Sequence, residues 1–258
     1  MIEPATPPVS AVRTRLDGRT ALVTGSTSGI GHAVADLLAE RGAHVIVSGR
    51  DPGRGHAAVT GIQARGGHAD FLAADLTTDT GTADLAERAL GVTGRIDVLV
   101  NNAGVFTFGP TADTTAAGFD AVYDLNVKAP YFLVQALVPA MAERGSGAVV
   151  NILTGAAHRG SVAAGLYGSS KAALLLLTQS WAAEFGPSGV RVNAVSPGPV
   201  RTEGTGYGAG LDAVAAALPA RRLGEPAEVA AAVAFLAADE AAYVHGAVLP
   251  VDGGATAA

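Results

Sequence analysis

The sequence predicts an α/β fold, a doubly wound parallel sheet with helices on both faces, on three observations. Seven short β-branched runs alternate with longer Ala/Leu-rich stretches of helical character. The runs are mainly apolar and most do not strictly alternate apolar with polar residues, as expected of strands covered on both faces. The first run also passes through a glycine-rich turn straight into an amphipathic helix. The runs are Ala21–Thr24, His44–Ser48, Ala69–Ala73, Val98–Asn101, Ala148–Leu153, Val190–Val195 and Val248–Val251. Between the first two, Ile30, Val34, Leu37 and Leu38 fall on one helical stripe, which Gly42 ends. Parallel strands joined this way need right-handed crossovers.

A chain of 258 residues can bury a sizeable core without disulfides or metals. Residues 1–15, with Glu3, Pro4, Pro7 and Pro8, read as a flexible arm without the pattern of a signal peptide. Residues 16–258 contain no repeat or dividing linker and read as one domain. A hydrophobic content of 49% excludes a disordered chain, and a net charge of −6 argues against nucleic acid and anionic membranes as partners. No run reaches the roughly 18 apolar residues of a spanning helix, so a cytoplasmic protein is expected. Cysteine is absent, and the histidines at 32, 44, 56, 68, 158 and 245 lack ligand spacing, so no metal is expected.

The turn reads Thr24-Gly25-Ser26-Thr27-Ser28-Gly29-Ile30-Gly31. Glycines here permit a tight bend, and the helix start offers free N–H groups and a positive dipole end to a pyrophosphate. The context fits a dinucleotide; no Gly-Lys-Ser/Thr follows, which excludes a triphosphate P-loop. The second strand ends Val47-Ser48-Gly49-Arg50, with no acid at its tip for a ribose 2′-hydroxyl. Arg50 can fork onto a 2′-phosphate, which favours NADP(H) over NAD(H). A solvated Arg50, or Asp51 turned inward, is the alternative.

Tyr167 and Lys171 stand at i and i+4, on one face of a helix, 13 residues after Thr154 at a strand end. Asn101-Asn102-Ala103-Gly104 ends another strand, and Asn126 precedes a long helical stretch. In doubly wound sheets, sites lie outside the carboxyl ends of strands, where these features would converge.

Together with Asp75-Leu76, Pro197-Gly198-Pro199-Val200-Arg201-Thr202 and Asp252-Gly253-Gly254, these residues make the chain resemble the short-chain dehydrogenase/reductase family from about Leu16 to Gly254. The resemblance implies one Rossmann-type domain with a seven-stranded parallel sheet, assembled as a homotetramer or dimer. It implies a catalytic set of Asn126, Thr154, Tyr167 and Lys171, with Thr154 where the family usually has serine. Threonine keeps the hydroxyl but adds a methyl and stiffens χ1. The implied cofactor residues are Gly25, Thr27, Ser28, Gly29, Ile30, Gly31, Arg50, Asp75, Leu76, Asn102, Ala103, Gly104, Tyr167, Lys171, Pro197, Gly198, Val200 and Thr202. Asp75 would reach the adenine, or alternatively cap the following helix.

The implied reaction moves a hydride between a nicotinamide and a ketone or secondary alcohol, with Tyr167 as acid or base. The free phenol pKa, near 10, is about 3 units too high for a base at neutral pH, a deficit of ~4 kcal/mol. A cation ~4 Å away, at an effective dielectric of ~20, contributes about 4 kcal/mol, so Lys171 is sufficient to matter. Thr154 would hold the substrate oxygen, and Asn126 a water relaying protons to Lys171. Phe106 or Phe108 is a candidate pocket wall, and His158 and Arg159 are candidates to face substrate. Residues 202–218, rich in glycine, suit a lid. Trp181 reads as a packing or interface residue, and Asp252-Gly253-Gly254 as a structural turn. The substrate would be a free small molecule ahead of a carrier-bound one. A catalytically idle dinucleotide-binding sensor or scaffold is the competing reading, and a non-redox relative using the tyrosine ranks last.

Overall fold

The computed structural model describes residues 15–78, 80–203 and 210–257. Its strands are β1 (Thr20–Thr24), β2 (His44–Gly49), β3 (His68–Ala73), β4 (Val98–Asn101), β5 (Gly147–Ile152), β6 (Val190–Pro197) and β7 (Val248–Val251). Every expected run is a strand, and β6 runs on by two residues at its carboxyl end, to Pro197. All pairings are parallel, in the order β3-β2-β1-β4-β5-β6-β7. The chain winds outward from β1 in one direction and from β4 in the other, so a crevice opens between their carboxyl ends.

The helices are α1 (Gly29–Glu40), α2 (Pro52–Ala64), α3 (Gly81–Thr93), α4 (Ala116–Tyr123), α5 (Ala129–Glu143), α6 (Gly165–Phe185), α7 (Leu211–Ala217) and α8 (Pro226–Ala237). Alternate strand residues face opposite ways, and in the central strands β1, β2, β4, β5 and β6 both sets are buried, whereas the edge strands β3 and β7 are partly exposed. Ala21, Val23, Val45 and Val47 pack with Val34 and Leu38 of α1 and Val229 and Val233 of α8. Leu22, Ile46 and Leu99 pack on the other face with Leu85 of α3, Leu133 and Leu137 of α5, and Leu174 and Trp181 of α6. At ~1.5–3 kcal/mol for each large aliphatic side chain buried, these two layers supply the main stabilisation. Apolar cover on both faces is the physical reason the strands read as continuous apolar runs.

Buried polar links hold α6 over the sheet. The Asn101 amide donates to Asn151 Oδ1 at 2.8 Å, and the Asn151 amide donates to the Thr178 hydroxyl at 2.8 Å. Trp181 is buried with its ring 6.0 Å from that of Tyr131, a packing residue as expected. Among the described residues no helix is long and apolar enough to cross a membrane. Residues 1–14 of the expected arm, and 204–209 of the expected lid, lie outside the described residues. The rest of that segment includes α7, a short helix.

Candidate active site

The glycine turn between β1 and α1 is tied to both neighbouring strands. Ser26 Oγ donates to Val23 O at 2.6 Å and accepts from Ser48 N at 3.0 Å. Thr24 Oγ1 accepts from Asn102 N and Ala103 N, while the Asn102 amide donates to Thr24 O and Gly25 O. Glycine is required at two positions for different reasons. Gly25 has φ +62°, and a Cβ there would lie 2.9 Å from Ala103 Cα; on Gly31 it would lie 2.4 Å from Gly25 O and 2.3 Å from the Asn102 amide. Ser28 caps α1 without a side-chain hydrogen bond, and no acid stands in the first turn. The positive helix end is therefore left for an anion.

Beside the turn lies a cleft of about 260 Å³, lined by Gly25, Thr27, Ser28, Arg50, Asp75, Leu76, Asn102, Ala103 and Gly104. Arg54, Ser48 and Leu125 line it too, three residues the sequence reading did not select. Asp51 lines the cleft as well. It caps α2 by accepting from Arg54 N at 3.1 Å and pairs with the Arg54 guanidinium, and these bonds hold its carboxyl below the usual range. Asp75 is no helix cap, because α3 starts at Gly81 behind Thr80. It accepts from the Thr77 hydroxyl at 2.7 Å and from Thr77 N at 3.0 Å, which lowers its pKa. A cleft with an open helix N-terminus, close backbone approach and two arginines at its rim, beside Asp51 and Asp75, fits a dinucleotide phosphate.

Gly29, Ile30 and Gly31 form the first turn of α1 and do not line that cleft; Ile30 packs on the core. Pro197 ends β6; a Cβ on the adjacent Gly198 would lie 2.7 Å from Asp252 Cα. Val200 is buried and bridges Gly224, whereas Thr202 reaches back so that a Cβ on Gly29 would lie 3.5 Å from its side chain. Asp252 accepts from Gly254 N and Thr256 N, each at 2.9 Å, and thus shapes the C-terminal turn.

The candidate catalytic set gathers at the carboxyl edge. Lys171, on α6, is buried and donates to Ile152 O at 2.8 Å. Burial pushes its ammonium down to about 8. Asn126 occupies a π-helical turn between α4 and α5, fully buried. Its amide donates to Val105 O at 2.9 Å and to Ser170 Oγ at 3.0 Å, and its carbonyl accepts from Val105 N at 2.9 Å. Both amide hydrogens are thereby committed, so the side chain could offer the expected water only the second lone pair of Oδ1. Ser170 Oγ in turn donates to Tyr167 O at 2.7 Å. A Cβ on Gly104 would lie 3.1 Å from Asn126 Oδ1 and 3.3 Å from Lys171 Nζ, so the Asn-Ala-Gly turn, Asn126 and Lys171 meet at one point. Thr154 follows β5 and accepts from Ala156 N at a long 3.5 Å. Tyr167 is half-buried, and the rings of Phe106 and Phe108 stand edge-on to it at 6.3 and 6.1 Å. His158 and Arg159 are exposed, and Arg159 donates to Ala255 O. Among the described residues no cluster of three or more His, Asp or Glu could hold a metal.

A family profile described as enoyl-(acyl carrier protein) reductase matches residues 25–256. D-threitol dehydrogenase of Mycolicibacterium smegmatis is 37% identical over 94% of this chain and 94% of its own. A solved short chain dehydrogenase/reductase family protein is 49% identical with a TM-score of 0.88, covering 95% of this chain and 100% of its own. The structure of a 3-oxoacyl (acyl-carrier-protein) reductase from Agrobacterium tumefaciens C58 with NADP bound is 34% identical with a TM-score of 0.90, covering 93% of this chain and 95% of its own.

Proposed function

The chain belongs to the short-chain dehydrogenase/reductase family, and from that premise we propose that it interconverts a small-molecule ketone and secondary alcohol with NADP(H), Tyr167 serving as acid and base. One geometric fact carries this: Asn126, Lys171 and the Asn-Ala-Gly turn meet at a point beside a cleft built for a dinucleotide.

Arg50 and Arg54 would hold the 2′-phosphate, and the capping role of Asp51 keeps its charge directed at Arg54. The turn from Gly25 to Gly31 would take the pyrophosphate, Asp75 and Leu76 the adenine, and Asn102, Ala103 and Gly104 the centre of the molecule. The Pro197–Thr202 segment would border its far end. When bound, the nicotinamide supplies or accepts a hydride. Tyr167 then gives its phenolic proton to the developing alkoxide in reduction, or takes one from the alcohol in oxidation. Lys171 lies one helical turn from Tyr167; with a pKa of about 8, roughly nine in ten carry charge at pH 7. That charge stabilises the phenolate. Thr154 orients the substrate oxygen through its hydroxyl. Asn126 is a positioning residue, acting through Val105 and through Ser170. Exposed Phe119, Tyr131, Phe132 and Leu176 on α4, α5 and α6 support self-assembly as a homotetramer or dimer. No described feature favours a catalytically idle binding protein.

The test combines a paired titration of NADPH and NADH, read by nicotinamide fluorescence, with a Tyr167→Phe variant. NADPH should bind at least about tenfold tighter, the value of one added charge-assisted contact. Tyr167→Phe should bind NADPH as the parent does but lose turnover on a ketone panel. Equal binding of both cofactors refutes the arginine assignment, and undiminished turnover in Tyr167→Phe refutes the mechanism.

A further inference from the structure

Phe106 and Phe108 are 51% and 58% exposed, on the loop that leaves the Asn-Ala-Gly turn. Their rings lie 6.0 Å apart, and both stand edge-on to Tyr167. Solvated phenyl rings beside a candidate acid forgo hydrophobic stabilisation that an apolar ligand would supply. The loop bearing them is tied down at two points. Val105 exchanges two hydrogen bonds with the Asn126 side chain, and Gly109 N donates to Ala163 O at 2.8 Å. Ala163 itself is held in the left-handed region at φ 65°, a conformation uncommon for a residue with a Cβ. A depression of about 350 Å³ continues past Phe108 between Pro110, Thr115, Ala163 and Leu166, and Asp113 is the one charged residue lining it among the described residues.

We infer that Phe106 and Phe108 form an aromatic wall selecting an uncharged ketone, or the matching secondary alcohol, that carries an aromatic or alicyclic ring on one side of the carbonyl. The inference rests on Tyr167 as the proton donor. A ring attached to a carbonyl bound at the Tyr167 hydroxyl is within reach of both phenyl groups, whose centroids lie 6.3 and 6.1 Å from that of the phenol. Edge-to-face contacts then hold that ring. Asp113 disfavours a carboxylate or a carrier phosphate in the adjoining depression on the far side of Phe108. In reduction, NADPH delivers the hydride to the carbonyl carbon and Tyr167 delivers the proton to oxygen, giving the alcohol and NADP⁺.

The experiment compares acetophenone with dihydroxyacetone as NADPH-dependent substrates of the full chain, Phe106→Ala, Phe108→Ala and the double variant. For acetophenone, kcat/KM should fall about 2- to 12-fold for each ring removed, chiefly through KM. For dihydroxyacetone it should change less than about 2-fold, having no ring to lose contact. Equal losses on both ketones, or a parent that prefers dihydroxyacetone, would overturn the wall while leaving the Tyr167 chemistry intact. A second arm uses saturation-transfer NMR of acetophenone on NADPH-loaded Tyr167→Phe, which keeps the ring but has no proton to give. Transfer abolished by adding both alanine substitutions supports the wall even where turnover fails; no transfer in Tyr167→Phe overturns it.

Discussion

Replacing Lys171 with methionine should raise stability while abolishing turnover, and the size of the gain follows from its burial. Methionine matches the lysine stem in length and removes an ammonium that is fully desolvated. Burial lowers the folded-state pKa from 10.5 to about 8. Below about 8 the group is protonated in both states, and the folded state bears the whole cost of a buried charge. Between about 8 and 10.5 the unfolded chain binds more protons than the folded one, so wild-type stability rises with pH. The full cost is on the order of 3 kcal/mol. Against it stands the hydrogen bond to Ile152 O, whose loss leaves a buried carbonyl unsatisfied at ~1–3 kcal/mol. Lys171→Met should therefore exceed wild type by about 1 kcal/mol at pH 7. That margin should shrink and then reverse by pH 10, as the wild-type lysine deprotonates in the fold. Urea unfolding of the cofactor-free protein reads this directly, with Trp181, the chain's single tryptophan, as an intrinsic fluorophore on the same helix. A variant less stable than wild type at pH 7 by a margin that does not move with pH would refute the reasoning, since desolvation would then not be the dominant cost.

Two glycines of opposite character test the packing of the nucleotide turn. Gly31→Ala drives a Cβ into Gly25 O and the Asn102 amide, and should cost at least about 1–3 kcal/mol in thermal unfolding and most of the NADPH affinity. Gly91→Ala, inside α3 with nothing within 4 Å, should instead stabilise by ~0.5–1 kcal/mol. Thr154→Ser keeps the hydroxyl that orients substrate, so kcat/KM should stay within about 3-fold of the parent, whereas Thr154→Ala should lose far more. A serine variant as impaired as the alanine one would show that the methyl, not the hydroxyl, matters at this position.

The strands were legible because each central one is covered on both faces, leaving an apolar run; β6 outran its expected end because Ser196 and Pro197 still pair with β7. The turn from Gly25 to Gly31 and the Tyr167–Lys171 spacing were legible because each lies within a few residues of one element. Asp75 was misread as a possible helix cap, since Thr77 competes for its carboxylate and α3 begins only at Gly81. Arg54 escaped notice because it sits past the strand tip, within the first turn of α2, and only the fold brings it to the cleft rim.

Sequence alone determined the periodicities, the glycine turn and the identities of the titrating groups, because those are short-range properties of the chain. Tertiary structure decided the environment of each group. It commits the Asn126 amide to Val105, 21 residues away, removes Lys171 from water, and brings Phe106 and Phe108 against a tyrosine far along the chain. Hydrogen bonding, desolvation and ring contact all act over a few ångströms of space, a distance that separation along the chain does not encode.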